Sequence, residues 1–262
     1  MTRPYTIPSF GLMALTLFLI IPSCFSQKNF PNTSPTPPDH SLWTELLQKH
    51  VSEEGEVNYP GFIKDSTKLN EYLDLLSSHA PDRKKWSDDE QLAYWINVYN
   101  AFTVKIVADH YPVETIKEIG GRVNIPFVST VWDIKFIDIG GKDIDLNTVE
   151  HGIIRKEFKE PRIHFAVNCA SYSCPVLLNE AYTAEKLEEQ LQQQTVHFIN
   201  NPRFNIIENP NKAKISRLFQ WYSGDFKVDG KDIIDYINRY SDIQLASDAE
   251  ISYMDYDWSL NE

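Results

Sequence analysis

The sequence predicts an α+β fold: a single compact domain around a buried central helix, with β-hairpins and short strands packed about it. Three observations carry that expectation. A chain of 262 residues, 42% hydrophobic and 13% aromatic, can bury a core without metal or disulfide staples. The segment from Asp88 to His110 opens on a capping box, Ser87-Asp88-Asp89-Glu90, and between Gln91 and Ala108 its one formal charge is Lys105. A helix apolar on nearly every side lies inside the molecule. Around it, helical and strand patterns mix without regular alternation, which argues against a parallel βαβ sheet.

The elements follow in order. Leu42 to Lys49 and Thr67 to Ser78 show helical spacing of apolar residues. The central helix stops before Pro112. Trp132 to Phe136 alternates apolar and polar and leads to Gly140-Gly141, which predicts a hairpin with a two-glycine turn. Asn147-Thr148-Val149-Glu150 has the form of a second capping box, opening a short helix through Arg155. Ile163 to Val167 reads as a brief buried strand. Thr183 is placed to cap a helix running to Asn200, just before Pro202. Phe204 to Ile207 and Lys214 to Ser216 suggest a second hairpin around Asn209-Pro210-Asn211. A helix from Ile233 to Tyr240 closes the body.

The ends divide the chain further. Met1-Thr2-Arg3 precedes an apolar run from Gly11 to Ile21 and a small-residue exit, and residues 1–26 read as a signal peptide cut after Ser26. Ile21-Pro22-Ser23-Cys24 loosely resembles a lipobox, so a lipid anchor through Cys24 is the lesser alternative. Residues 27–40, with Pro31, Pro35, Pro37 and Pro38, read as a Pro-rich tether. The body spans 41–240. Residues 241–262 hold six acids and no base and read as a solvated acidic tail. The expectation is an exported protein, periplasmic or secreted, with no membrane span once the leader is removed.

The net charge is −12. Without a basic face the chain lacks the counterion-displacing surface that a nonspecific nucleic-acid binder needs. No cofactor is implied: the glycine pairs are isolated turns, with no nucleotide-binding loop. No metal-ligand spacing of the C-x-x-C or H-E-x-x-H type occurs.

Three clusters could carry chemistry. Asn97 and Asn100 are amides inside the apolar helix and must find partners; either they tie the helix to neighbouring backbone or one serves a reaction. His151 and Arg155 share a helix face four residues apart, beside Glu150. The densest stretch runs from Arg162 to Pro175, where His164, Asn168, Cys169, Ser173 and Cys174 crowd together. A cysteine there becomes a nucleophile if an imidazole or other donor raises its thiolate fraction.

Leu92-Ala93-Tyr94-Trp95-Ile96-Asn97-Val98-Tyr99-Asn100-Ala101, Asn147 to His151, and His164 to Pro175 together resemble the family of domain of unknown function 547. The three blocks occur in that family's order, and flanking similarity extends over about 42–226. The resemblance implies no established activity. Its bacterial members are similar to this chain in being exported.

Two functional readings follow. The first is a cell-envelope or secreted binding or scaffold module, its partner an envelope protein or a small-molecule ligand, with Cys169 and Cys174 as a candidate disulfide. The alternative is a thiol-dependent hydrolase or acyl transferase. It has Cys169 as nucleophile, His151 or His164 as base and Asn97 orienting, with Asn100, Glu150, Arg155, Asn168 and Ser173 as binding residues.

Overall fold

The computed structural model describes residues 30–120, 130–227, 230 and 232–262. The expected leader, both of its expected processing sites and Gly121 lie outside them. The fold is α+β, with helices dominating two small sheets.

Three helices, α1 (Ser41–His50), α2 (Tyr59–Lys64) and α3 (Ser66–Ser78), surround α4 (Asp88–His110). The α4 capping box forms as expected, and the helix is buried almost continuously from Gln91 to Val107. Around it sits the larger apolar cluster, including Trp43, Tyr72, Trp95 and Leu146. A second cluster gathers Phe165, Phe198, Phe204, Phe219, Phe226 and Tyr236.

The first hairpin joins β1 (Ile137–Ile139) to β2 (Lys142–Ile144). Its turn is Gly140-Gly141, both at positive φ, which the absence of a side chain permits. The expected start at Trp132 is corrected. Val131–Asp133 closes a 3₁₀ turn in which the Asp133 carboxylate accepts from the backbone N–H and hydroxyl of Thr130. Alternation alone does not register that side-chain lock.

Next come α5 (Leu146–Val149), a π turn over Glu150–Ile154, and α6 (Arg155–Glu157). Here too an expectation is corrected: Asp145, not Asn147, caps α5, its carboxylate accepting from Thr148 N–H at 2.6 Å. Glu150 is thereby released from capping. Ile163 to Val167 is not a strand either. Pro161–Phe165 forms a 3₁₀ segment, started by Pro161 and the Glu160 side chain, and Ala166 and Val167 donate back to Ile163 O. With those donors spent locally, no ladder forms.

α7 (Leu187–Asn200) begins four residues after Thr183, beyond a turn. The second hairpin, β3 (Ile206–Asn209) and β4 (Lys212–Ile215), turns at Pro210-Asn211. It is followed by α8 (Leu218–Trp221), α9 (Ser223–Phe226) and α10 (Ile233–Asn238).

Both terminal expectations change. The described part of the tether is docked: Phe30 packs on Trp95, and Trp86 Nε1 donates to Ser34 O at 2.9 Å. The acidic tail is not a solvated appendage. β5 (Glu250–Tyr253) pairs parallel to β4, and residues 257–261 bond to the loop around Ser171. Its acids face outward while Leu260 and Asn261 are buried, so counting charge concealed the apolar side of the segment.

Candidate functional site

The loop 166–175 is held from three directions. From α4, Asn100 donates to Ala166 O at 2.9 Å and accepts from Asn168 N–H at 2.8 Å. From within, Asn168 accepts from Ala170 N–H at 2.9 Å and donates to Pro175 O at 2.7 Å. From the C-terminal segment, Asn261 N–H donates to Ala170 O, and Ser173 exchanges bonds with the Asp257 backbone. Ala170 sits at φ 64°, a left-handed conformation costing an alanine roughly 1–2 kcal/mol. The surrounding bonds hold it there beside Cys169.

Cys169 occupies the result. Its backbone N–H donates to Cys174 Sγ at 2.9 Å, and its own Sγ lies 3.2 Å from Ser171 Oγ and 3.4 Å from Tyr256 Oη. Both cysteines are free thiols. Hydrogen bonding from Cys174, with lesser help from Ser171 and Tyr256, outweighs burial and lowers the Cys169 thiol to about 7. Burial pushes Cys174 the other way, far above the ordinary thiol range. The pair therefore divides into one ionisable sulfur and one inert donor.

The histidines belong to a single network. His164 Nε2 lies 2.7 Å from Asp225 Oδ2, and its ring stacks on Tyr222 with centroids 4.0 Å apart. Burial lowers the His164 pKa and keeps the ring neutral, while bonds from His164 and Arg155 hold Asp225 ionised. With Nε2–H spent on the carboxylate, the acceptor of the ring is Nδ1. Arg155 Nε donates to the same Asp225 oxygen at 2.7 Å, and an Arg155 terminal nitrogen lies 3.1 Å from His151 Nδ1. A guanidinium only donates, so His151 accepts at Nδ1 and carries its proton on Nε2. Glu150, 6% exposed, accepts from Tyr222 Oη at 2.9 Å and lies 3.5 Å from His151 Nδ1. The π turn sets this face: one extra residue per turn changes the angular spacing from Glu150 to Arg155.

These groups surround one cavity of about 220 Å3 between the two apolar clusters. Cys169, Cys174, His151, His164 and Glu150 line one side, and Trp132, Trp221, Tyr222, Tyr256 and Trp258 contribute much of the rest. Of the expected site residues, Cys169, His151, His164 and Glu150 reach it directly. Arg155, Asn168, Asn100 and Ser173 hold its walls. Asn97 does not reach it: both ends of its amide bond the Tyr182 backbone, at 2.7 and 3.0 Å, so the orienting role expected of it has no geometric basis. Asp225, Tyr222 and the aromatic rim escaped the sequence reading as site residues. Nothing local in the sequence ties the rings at 221–222 and 253–258 to Cys169. Among the described residues no three His, Cys, Asp or Glu side chains converge as metal ligands, and no helix is long and apolar enough to cross a membrane.

The fold and this cavity define an α+β domain with a thiol and two histidines at a shared opening. Residues 83–199 match the model of a family described as Protein of unknown function, DUF547. The match covers the central helix, both histidines, Trp132 and Cys169, and ends before Asp225 and the remaining rim residues Trp221, Tyr222, Tyr256 and Trp258. No curated protein matches the chain, and no solved structure does.

Proposed function

We propose that the protein is a thiol-dependent acyl-transfer enzyme, acting as a hydrolase when water is the acceptor. The observation that supports this most is the convergence of an acidified Cys169 thiol with the His164–Asp225 pair on one cavity. A pure binding or scaffold module needs a cavity, but has no use for a thiol held near neutrality or for two oriented imidazoles.

The reaction divides into two halves. His164 Nδ1 takes the Cys169 proton as sulfur attacks the acyl carbon and the C–S bond forms. The negative carbonyl oxygen is met by His151 Nε2–H, a donor fixed by Arg155. The bond to the leaving group breaks, and His164 returns the proton to it. Water then attacks the thioester while His164 takes its proton. The C–S bond breaks, the acid departs, and the proton returns to sulfur. The leader supports an exported setting for this chemistry, periplasmic or secreted.

Intact-mass spectrometry after exposure to p-nitrophenyl acetate tests the reading. A single acetyl group is expected on Cys169, absent from Cys169→Ala, with turnover of the adduct slowed about 10²–10⁴-fold in His164→Ala. Acetylation of Cys169→Ala at the wild-type rate overturns it.

A further inference from the structure

The aromatic side of the cavity is not needed to ionise a thiol, and its chemistry narrows what enters. Trp221 and Tyr256 rings lie 4.8 Å apart, Tyr256 and Trp258 4.5 Å, and Trp132 and Trp258 6.0 Å. Trp221 is 46% exposed, an unusual position for the largest apolar side chain unless its face is used. These rings come from three separate parts of the chain yet meet at the opening above Cys169.

The polar inventory is small and mostly committed, the His151 Nε2–H being a donor left free. Asn147 donates to Asp133 at 2.6 Å, Glu150 accepts from Tyr222, and His164 is bound to Asp225. Among the described residues, no lysine or arginine lines the cavity. Arg155 is engaged with Asp225 and His151, and the Lys117 ammonium rests 3.2 Å from the Trp258 ring centroid. An anionic group would therefore enter beside the Glu150 carboxylate and the Cys169 sulfur, with Lys117 behind the Trp258 ring and no cation among the described lining residues. A sugar would bury several hydroxyls against a largely aromatic lining with few polar groups left to meet them. The size agrees with a single small group: a dry apolar cavity of about 150 Å3 accepts benzene, whereas drug-sized ligands occupy roughly 300–1,000 Å3.

We propose that Trp132, Trp221, Tyr256 and Trp258 form an acyl-binding subsite selective for uncharged, planar aryl acyl groups, presented to Cys169 as esters or thioesters. The assignment rests on the acyl-transfer reading for its chemistry, but ligand binding tests it separately.

The experiment uses full-length Cys169→Ala protein, in which no acylation occurs, and follows tryptophan indole N–H resonances by NMR. Methyl cinnamate, cinnamate and methyl glucoside are titrated in turn. Methyl cinnamate is expected to shift the indole signals and to bind at least tenfold more tightly than cinnamate, with no saturable shift from the glucoside. Trp221→Ala, at an exposed ring, is expected to weaken the ester about tenfold. Equal or tighter binding of cinnamate or the glucoside overturns the subsite, as does an unchanged ester affinity in Trp221→Ala. A Lys117→Ala variant shows whether Lys117 recruits carboxylates: loss of tight cinnamate binding there also counts against the proposal. If the ester binds as expected while wild-type Cys169 is never acylated, the subsite stands and the acyl-transfer reading falls.

Discussion

At the scale of single residues, the decisive contrast is between two sulfurs five positions apart. Cys174 is 4% exposed and its thiol proton is held by burial, whereas Cys169 is half-buried and receives hydrogen bonds that favour its charge. Alkylation by iodoacetamide is therefore expected to modify Cys169 first, with a rate that rises through a midpoint near pH 7 as the thiolate fills. Cys174 should react only after denaturant is added. Peptide mapping of the label checks both statements, and a midpoint near the ordinary thiol value would remove the electrostatic argument. Sequence made Cys169, His151 and His164 conspicuous because such residues are scarce and crowded there. It could not reveal Asp225, a common surface residue whose role comes from its position 2.7 Å from His164.

Among the elements, α4 acts as a frame whose amides face outward from an apolar body. Asn100→Ala leaves Ala166 O and Asn168 N–H buried without their partner, at a cost of about 2–4 kcal/mol. Urea unfolding measures that loss, and a change below about 0.5 kcal/mol would mean that the loop is held chiefly by Asn168 and the C-terminal segment. The central helix and both hairpin turns were legible because capping residues, glycines and period are local signals. The 3₁₀ segment at Pro161–Phe165 and the π turn at Glu150–Ile154 were not, since each depends on which carbonyl a backbone N–H meets after packing. Those two irregular pieces are the ones that carry His164 and His151, so the sequence was least readable where the site is built.

For the whole molecule, the docked N-terminal segment makes stability sensitive to mild acid. His40 Nδ1 lies 2.7 Å from Tyr72 Oη, and burial lowers its pKa to about 4. The unfolded chain takes up a proton below roughly pH 6.5, while the folded one resists until about pH 4. Stability from this group is therefore complete above pH 6.5 and falls as pH decreases toward 4. It loses about 2 kcal/mol between pH 7 and pH 5. Denaturation midpoints at the two pH values should show the loss, and His40→Gln should reduce it; an equal loss in that variant would place the sensitivity elsewhere.

The C-terminal segment has a consequence for biogenesis. Tyr256 is 87 positions beyond Cys169, so at ordinary translation speeds of about 5–20 residues per second the sulfur emerges roughly 4–17 s before its cover is made. During that interval it lacks the Tyr256 hydroxyl and the closing strap, and it meets oxidants and other thiols as a less protected nascent cysteine. Whatever compartment receives the chain must keep that one sulfur reduced until the last residues have been synthesised and docked.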